Sequence, residues 1–248
     1  MQYKYETAAQ DYSHLASGRV FYNLPGHPAF PIRLASEIFQ RCLAHRETIY
    51  GITTPCTLYD PCCGAAYHLS VLGYLHGWHI QEIIGSDVDE KAVALAGRNL
   101  GLLNITGLDQ RIREITNMIE QYNKDSHKEA LNSAYIIKNK ISDLDREHPM
   151  ATRAFQAAAT DSKTILENIN ARSVDIVFTD VPYGQHSEWQ DSTSDPIRSM
   201  LNALLGILSP SCIVAIVSDK RQRASHENYQ RVEQFQVGKR RVALLRPA

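Results

Sequence analysis

The stretch Tyr59-Asp60-Pro61-Cys62-Cys63-Gly64-Ala65-Ala66 is the part of the sequence that says most about the fold. It begins inside a short predicted strand, 57–60, and ends where a helix is predicted over 67–77. A turn of small residues between a strand and a helix lets a ligand approach the backbone closely. No Lys-Ser or Lys-Thr follows the glycine and no GxGxxG pattern is present, so we expect a ligand without a pyrophosphate. A tight turn with no ligand explains these residues equally well.

Short apolar strands alternate with helices beyond this turn. The predicted strands are 82–87, 174–179 and 213–218, the predicted helices are 90–103 and 195–208, and a closing pair of strands is predicted over 232–237 and 242–245. This alternation indicates βαβ units and a parallel sheet, and therefore an α/β fold class. Ahead of the turn, a proline-rich connector at 25–31 leads into a helix that is predicted to start at Ile32 and cover the sheet.

Residues 104–155 interrupt the alternation. Ile112, Ile115, Ile119 and Tyr122 recur at helical spacing, and a second series with the same spacing runs over 131–144. Both patterns predict amphipathic helices with charged outer faces. We interpret 104–155 as a helical hairpin inserted within a single domain that spans 1–248, in which 1–50 forms an N-terminal segment and the covering helix.

Composition and charge exclude several classes of protein. The chain has 248 residues, of which 44% are hydrophobic and 21% charged, so it can bury one core and is not expected to be disordered. No run of eighteen apolar residues and no secretory signal is present, which predicts a cytoplasmic protein without a membrane partner. Because 26 basic residues face 27 acidic ones, any contact with nucleic acid must come from a local patch.

The five cysteines predict free thiols and no metal. They stand at positions 42, 56, 62, 63 and 212, an odd number without the spacing of a disulfide framework. Two cysteines separated by two to four residues, the usual zinc-binding pair, do not occur.

Carboxylates stand where the predicted strands end. Asp60 ends the first strand and could accept a hydrogen bond from a ligand's ammonium group. Asp87 ends the second, 23 residues after Gly64, and an acid near this spacing typically receives ribose hydroxyls. Asp161 stands where a third strand is expected to end. It could accept from an adenine amino group, although a helix cap explains it equally well.

A second motif, Asp180-Val181-Pro182-Tyr183-Gly184, follows the strand predicted over 174–179. It places a carboxylate, a rigid backbone and an aromatic ring at the carboxyl edge of the sheet, where such folds bind ligands. A flat ring can stack on an unstacked nucleobase while the carboxylate accepts hydrogen bonds from the base edge. A plain turn would account for Pro182 and Gly184 but not for Asp180 and Tyr183.

Two basic clusters flank the last predicted strands, and both could contact phosphates or be solvated turns. They consist of Lys220, Arg221 and Arg223, and of Lys239, Arg240 and Arg241. Arg19, Arg33 and the inserted hairpin are further candidates for contact with nucleic acid.

Taken together, these motifs resemble those of S-adenosylmethionine-dependent methyltransferases with a Rossmann-like sheet. Asp60-Pro61-x-x-Gly64 resembles their first motif, and the 180–183 segment resembles the Asp/Asn-Pro-Pro-Tyr motif of enzymes that methylate planar nitrogens. More closely, the chain resembles the avilamycin-resistance (AviRa-like) family of ribosomal RNA guanine methyltransferases. That resemblance covers nearly the whole chain and rests on the insertion and on segments 18–20, 28–31, 60–64, 86–89 and 180–184.

The resemblance implies a mostly parallel seven-stranded sheet with helices on both faces, and S-adenosylmethionine as the cofactor. The implied cofactor-binding residues are Asp60, Cys62, Gly64, Asp87, Val88, Asp161 and Asp180, and the implied catalytic residues are Asp180, Pro182 and Tyr183. It also implies a monomer that methylates a guanine in ribosomal RNA, 23S rRNA in particular, and a link to antibiotic resistance. The family implies guanine N1, whereas an Asp-x-Pro-Tyr motif also suits an exocyclic amine.

Two departures from the family pattern leave other functions open. Ala66 stands where a second glycine is usual, and Val181 replaces the first proline. An RNA-binding protein that has lost catalysis is one alternative, because Ala66 could narrow the cofactor turn. A DNA adenine methyltransferase and a protein-glutamine methyltransferase are the others, because related motifs serve those amino groups.

Overall fold

A computed structural model describes residues 3–26, 28–182 and 195–248, which form a seven-stranded sheet in the order β3-β2-β1-β4-β5-β7-β6. The strands are β1 (Cys56–Asp60), β2 (Ile80–Asp87), β3 (Ala151–Gln156), β4 (Val174–Asp180), β5 (Leu208–Asp219), β6 (Tyr229–Val237) and β7 (Arg240–Pro247). The helices are α1 (Ile32–Tyr50), α2 (Tyr67–His76), α3 (Glu90–Gly101), α4 (Ile105–Tyr122), α5 (Asp125–Glu147), α6 (Ser162–Asn168) and α7 (Pro196–Leu204). Strands β1 to β5 are parallel, and β7 and β6 close the sheet in antiparallel pairs. The predicted Rossmann-like α/β fold is confirmed.

Two hydrophobic cores lie on the two faces of the sheet. On one face, α1 to α5 bury residues such as Leu34, Leu72 and Ile137 against Phe178. On the other face, α6 and α7 bury a second cluster that includes Met200. Since side chains alternate along a strand, successive residues of β4, β5 and β7 point to opposite cores.

The inserted hairpin is shorter than predicted. Helices α4 and α5 occupy 105–147, but residues 151–156 form β3, which pairs in parallel with β2 at the edge of the sheet. The prediction that the insertion extends to 155 was therefore wrong at its end. The strand is hard to detect in the sequence because it is an edge strand with exposed and half-buried residues, and it carries no apolar run.

Close helix packing fixes the base of the hairpin. A Cβ on Gly107 in α4 would lie 2.0 Å from the carbonyl oxygen of Gly101, so only glycine allows α3 and α4 to approach this closely. None of the described helices combines the length and the apolar character needed to cross a bilayer.

The N-terminal segment is bound to α1 through one buried carboxylate. Glu37 accepts hydrogen bonds from the backbone N–H groups of Lys4, Tyr5 and Glu6, at 2.8, 2.9 and 2.9 Å. Its Oε1 also accepts from Nε of Arg41 at 2.8 Å. Burial acts to raise the pKa of Glu37, but these donors together hold it below its ordinary value. The carboxylate therefore anchors residues 4–6 on the covering helix.

Replacing Glu37 with alanine should destabilise the protein by about 2–4 kcal/mol, because three buried backbone donors and the Arg41 guanidinium lose an acceptor. Amide hydrogen exchange should show faster exchange at residues 4–6. Because the folded-state pKa is lowered, this stabilisation is present above the unfolded-state pKa and is lost as pH falls through the folded-state pKa. Denaturant titration measures the loss. Glu47→Ala, an exposed site on the same helix, should change stability by less than about 0.5 kcal/mol. Equal effects at the two positions would contradict this role.

Candidate functional site

The turn between β1 and α2 is open on the side of Gly64. Oδ1 of Asp60 accepts from the Cys62 N–H at 2.9 Å, which starts the turn. Gly64 has φ +53°, and no atom lies within 4 Å of the position that its Cβ would occupy. Ala66 adopts the same left-handed region, which costs alanine about 1–2 kcal/mol, and its methyl group is fully buried in the core. The turn thus keeps a glycine-like backbone, and Ala66 does not obstruct its open side.

Asp87 connects the end of β2 to this turn. Its Oδ2 accepts from the Gly64 N–H at 2.8 Å, and its Oδ1 accepts from the Asp89 N–H at 3.0 Å. Burial raises the pKa of Asp87, and the two backbone donors act against that rise. Asp89 in turn caps α3 by accepting from the Lys91 N–H. The carboxylate that the sequence assigns to ribose therefore lies beside the glycine turn.

A buried ion pair lies behind the turn. Asp60 is fully buried at the end of β1, and its Oδ2 lies 3.2 Å from Nε2 of His68 on α2, without the alignment of a hydrogen bond. Burial acts to lower the pKa of His68, but Asp60, Asp180 and the Phe178 backbone together raise it. The histidine is therefore suited to carry a positive charge between two carboxylates. Sequence analysis did not assign it a role.

Asp180 ends β4 on the same face of the sheet. Its Oδ1 is buried and has no hydrogen-bond partner among the described residues. Burial raises its pKa to about 6, while Arg240 and His68 lower it and Asp60 raises it further. An unpaired carboxylate oxygen in such a place is a strong acceptor for a ligand donor.

Arg240 belongs to this cluster. Its guanidinium lies 5.5 Å from the centroid of the Phe30 ring, and that ring packs against both His68 and Phe178 at 5.7 Å. Its Nε is buried without a partner in the described structure. The structure thus places Arg240 with Asp180, apart from the other basic residues that were predicted to contact RNA.

The residues after β4 are held by β5 and the segment that follows it. The Val181 N–H donates to the Val217 carbonyl at 3.0 Å, and the Pro182 carbonyl accepts from Nε2 of Gln222 at 3.2 Å. Oε1 of Gln222 accepts from the Asp219 N–H at 3.3 Å, which fixes the orientation of the amide. Gln222 carries no recognisable sequence signal. Tyr183 and Gly184, the rest of the predicted motif, lie outside the described residues.

Asp161 caps α6. Its carboxylate accepts from the backbone N–H groups of Lys163 and Thr164, both at 3.1 Å, and from the Thr164 hydroxyl at 2.6 Å. The expectation that it ends the third strand was wrong, because β3 ends at Gln156. Gln156 instead lies at the strand end and donates to the Val88 carbonyl at 3.0 Å. The geometry of Asp161 is that of the helix cap.

The remaining predicted site residues are dispersed. Burial raises the pKa of the Cys62 thiol well above its ordinary value, so this cysteine stays protonated beside the turn. Arg19 is paired with Glu129 of α5 at 3.1 Å. The other basic candidates lie near the ends of β5 and β7, and they are Lys220, Arg221, Arg223, Lys239 and Arg241. Within the described ranges, no group of three or more His, Cys, Asp or Glu side chains is placed to hold a metal ion.

The sheet order, the open glycine turn and the carboxylates at the ends of β1, β2 and β4 define a Rossmann-like methyltransferase fold. A family described as rRNA methyltransferase AviRa matches residues 1–240. A curated relative from Streptomyces viridochromogenes, the 23S rRNA (guanine(2535)-N(1))-methyltransferase, is 34% identical over 247 residues, which is 99% of this chain and 96% of the relative. Two solved structures of rRNA methyltransferase AviRa from that organism give TM-scores of 0.85 and 0.86, at 33% and 32% identity, and cover 99% of this chain and 96% of theirs. The chain belongs to the AviRa family of rRNA methyltransferases.

Replacing Asp180 with asparagine should stabilise the protein at neutral pH. The folded-state pKa of about 6 exceeds the ordinary value of 3.8, so the folded state binds this proton more tightly than the unfolded state does. Wild-type protein therefore loses up to about 3 kcal/mol as pH rises from about 4 to about 6, and the amide does not. Denaturant titration at pH 4.5 and pH 8 should show a larger gain for the variant at pH 8.

Asp175 on the same strand provides the matched control for Asp180. Its carboxylate accepts from the Thr57 N–H and the Ser209 hydroxyl, and Arg46 lies 3.3 Å away. Asp175→Asn should therefore lose about 1–3 kcal/mol at pH 8, because it weakens satisfied contacts. If Asp180→Asn also loses stability at pH 8, the Asp180 carboxylate is well solvated and the derivation is wrong.

Proposed function

We propose that this protein transfers the methyl group of S-adenosylmethionine to N1 of a guanine in 23S rRNA. The relative that is 34% identical carries the name of that activity. The observation that carries the proposal is the buried Oδ1 of Asp180, which has no partner among the described residues and ends β4 at the ligand-binding edge of the sheet. Guanine N1 bears a proton that must leave during methylation, and a carboxylate acceptor suits that step.

The residues around the glycine turn fit the cofactor. Gly64 offers an open backbone surface, and the partly exposed Asp87 carboxylate beside it can accept ribose hydroxyls. The fully buried Asp60 carries the negative charge that a cationic ligand requires nearby. When bound, S-adenosylmethionine supplies an electrophilic methyl group, and the protein's contribution is to bind, orient and exclude water.

Asp180 is proposed to orient the base and accept its proton. With a pKa of about 6, the carboxylate is mostly ionised at pH 7 and can accept a hydrogen bond from guanine N1–H. His68 and Arg240 stabilise its charge, which prevents the pKa from rising further. Activity should therefore decline as pH falls below about 6, as the base becomes protonated.

The hydrogen bond of Pro182 supports N1 over the exocyclic amine. An amine with two hydrogens is best held by two acceptors, the carboxylate and the carbonyl of the Asp-x-Pro-Tyr motif. In this protein the Pro182 carbonyl already accepts from Gln222 at 3.2 Å, whereas Asp180 has a free oxygen. A single acceptor matches the single hydrogen of N1. Stacking of the base on Tyr183 completes the proposal and stays a prediction.

Mass-spectrometric mapping of 23S rRNA nucleosides after reaction with S-adenosylmethionine tests this function. We expect 1-methylguanosine, and we expect Asp180→Asn to lose at least about 100-fold in rate because an amide cannot accept the proton. Calorimetry should show cofactor affinity within about twofold of wild type. A product methylated at N2, or a variant with wild-type activity, would refute the assignment, and DNA and a glutamine-containing protein test the rival acceptors.

Cofactor binding should depend on Asp87 and not on Asp89. Removing the Asp87 carboxylate leaves ribose hydroxyls and the Gly64 N–H without an acceptor, which should weaken S-adenosylmethionine and S-adenosylhomocysteine alike by about 1–3 kcal/mol. Asp89→Ala is the control, because that side chain caps α3 two residues away. Calorimetric titration measures both affinities. Equal losses for the two variants would show a general disturbance of the loop instead of a ribose contact.

A further inference from the structure

A pocket of about 370 Å³ opens beside the β6–β7 hairpin, on the face of the sheet opposite Asp180. Its lining residues are Arg223, Ala224, Ser225, Arg231, Gln234 and Arg241. Three of these six residues are arginines and none is acidic. The pocket therefore concentrates positive charge in a chain whose formal net charge is −1.

Strand register explains why no carboxylate enters this pocket. Arg231 pairs with Leu245 and Gln234 pairs with Ala243, and both partners belong to the core under α7. A bulge between Arg231 and Glu233 lets Arg231 and Gln234 share a face although an odd number of positions separates them. Glu233 is thereby turned to the other face, where it forms ion pairs with Arg41, Lys4 and His45.

The arginines of the pocket have no ion-pair partner among the described residues. Nη1 of Arg231 donates to Oε1 of Gln234 at 3.0 Å, and Nη1 of Arg241 donates to the Gln222 carbonyl at 3.1 Å. Both acceptors are neutral. Three guanidinium groups around one opening repel each other, and a phosphate would neutralise them and match their planar donor geometry.

The pocket is connected to the acceptor motif. Arg241 bonds to the carbonyl of Gln222, and the side chain of Gln222 donates to the Pro182 carbonyl at 3.2 Å. Arg241 lies next to Arg240 in β7, so the two side chains face opposite sides of the sheet, toward the pocket and toward Asp180. A group bound in the pocket is thus separate from the target base but adjacent to it.

We propose that this pocket binds a backbone phosphate of the RNA, in a nucleotide that flanks the methylated guanine. The inference rests on the proposed function and adds Arg231 to the RNA contacts. Phosphate contacts fix the position of a nucleic acid without reading its sequence. The pocket therefore holds the strand while the target base enters at Asp180.

The test measures binding of protein-free 23S rRNA to Arg231→Ala by filter binding at 50 to 200 mM salt. Arg231 is the primary variant because its hydrogen bond reaches only Gln234, so the acceptor motif stays intact. We expect affinity to fall about tenfold and the slope of log K against log salt to fall by about 1. The KM for RNA should rise, whereas kcat and cofactor affinity should stay at wild-type values.

Arg246→Ala is the matched control. It lies on β7 as Arg241 does, but its guanidinium is bonded to Gln230 and is not part of the pocket. It removes the same charge and should leave the salt slope unchanged. Arg231→Lys, which keeps the charge and loses the planar donor pair, should fall between wild type and Arg231→Ala.

Wild-type RNA affinity and salt slope in Arg231→Ala and Arg223→Ala would overturn the inference. Inorganic phosphate is the second probe. If the variants lose inorganic phosphate binding and keep RNA binding, the pocket is a site for a free anion and the inference also fails. The two proposals fail separately: RNA binding that depends on Arg231 without any methylguanosine product would refute the proposed function and leave the pocket in place.

Discussion

Four ionisable side chains meet at the carboxyl ends of β1 and β4, and the arrangement of the surrounding elements depends on keeping them together. Parallel pairing of Leu58 with Ile176 and Tyr59 with Val177 sets the ends of the two strands side by side. Asp60 and Asp180 are thereby buried on one face of the sheet, where two carboxylates alone would repel each other. Two cations from different parts of the chain, His68 on α2 and Arg240 on β7, make this burial possible.

That requirement explains why the sheet closes as it does. Because β7 runs antiparallel to β5, its first residues return to the edge where β4 ends, and Arg240 pairs with Asp219 at that edge. A parallel last strand would bring Arg240 to the opposite end of the sheet. Phe30, in the connector before α1, packs on the rings of His68 and Phe178 and covers the cluster. The connector, α2 and β7 thus each contribute one side of the same site.

Buried carboxylates in this protein fall into two groups that the sequence does not distinguish. Glu37 and Asp175 are bonded on both oxygens by backbone and side-chain donors, and they hold elements together. Asp180 keeps one buried oxygen without a described partner, and its pKa is raised where that of Glu37 is lowered. The sequence predicted Asp180 from its place before a Pro-Tyr pair. Its unpaired state depends on burial by distant residues, which only the tertiary structure shows.

Local patterns predicted most of the fold, and contacts distant in sequence account for what they missed. The β1 turn, the covering helix and both hairpin helices have strong local signals, whereas β3 is a half-exposed edge strand without one. Missing β3 also placed the end of the third strand at Asp161 instead of Gln156. His68 was noticed only as one histidine among nearby cysteines, because its pairing with Asp60 depends on how α2 packs on the sheet.

The placement of the basic residues resolves the contrast between an RNA substrate and a formal charge of −1. Lys220, Arg221 and Arg223 follow β5, and Lys239, Arg240 and Arg241 precede or begin β7. Antiparallel pairing of Asp219 with Arg240 joins these segments, so that six of the 26 basic residues gather at one end of the sheet. Strand alternation then divides the begun cluster, sending Arg240 to the carboxylate of Asp180 and Arg241 to the arginine pocket. One register therefore creates both a charged centre for the base and a separate phosphate site beside it, which no uniform basic surface would provide.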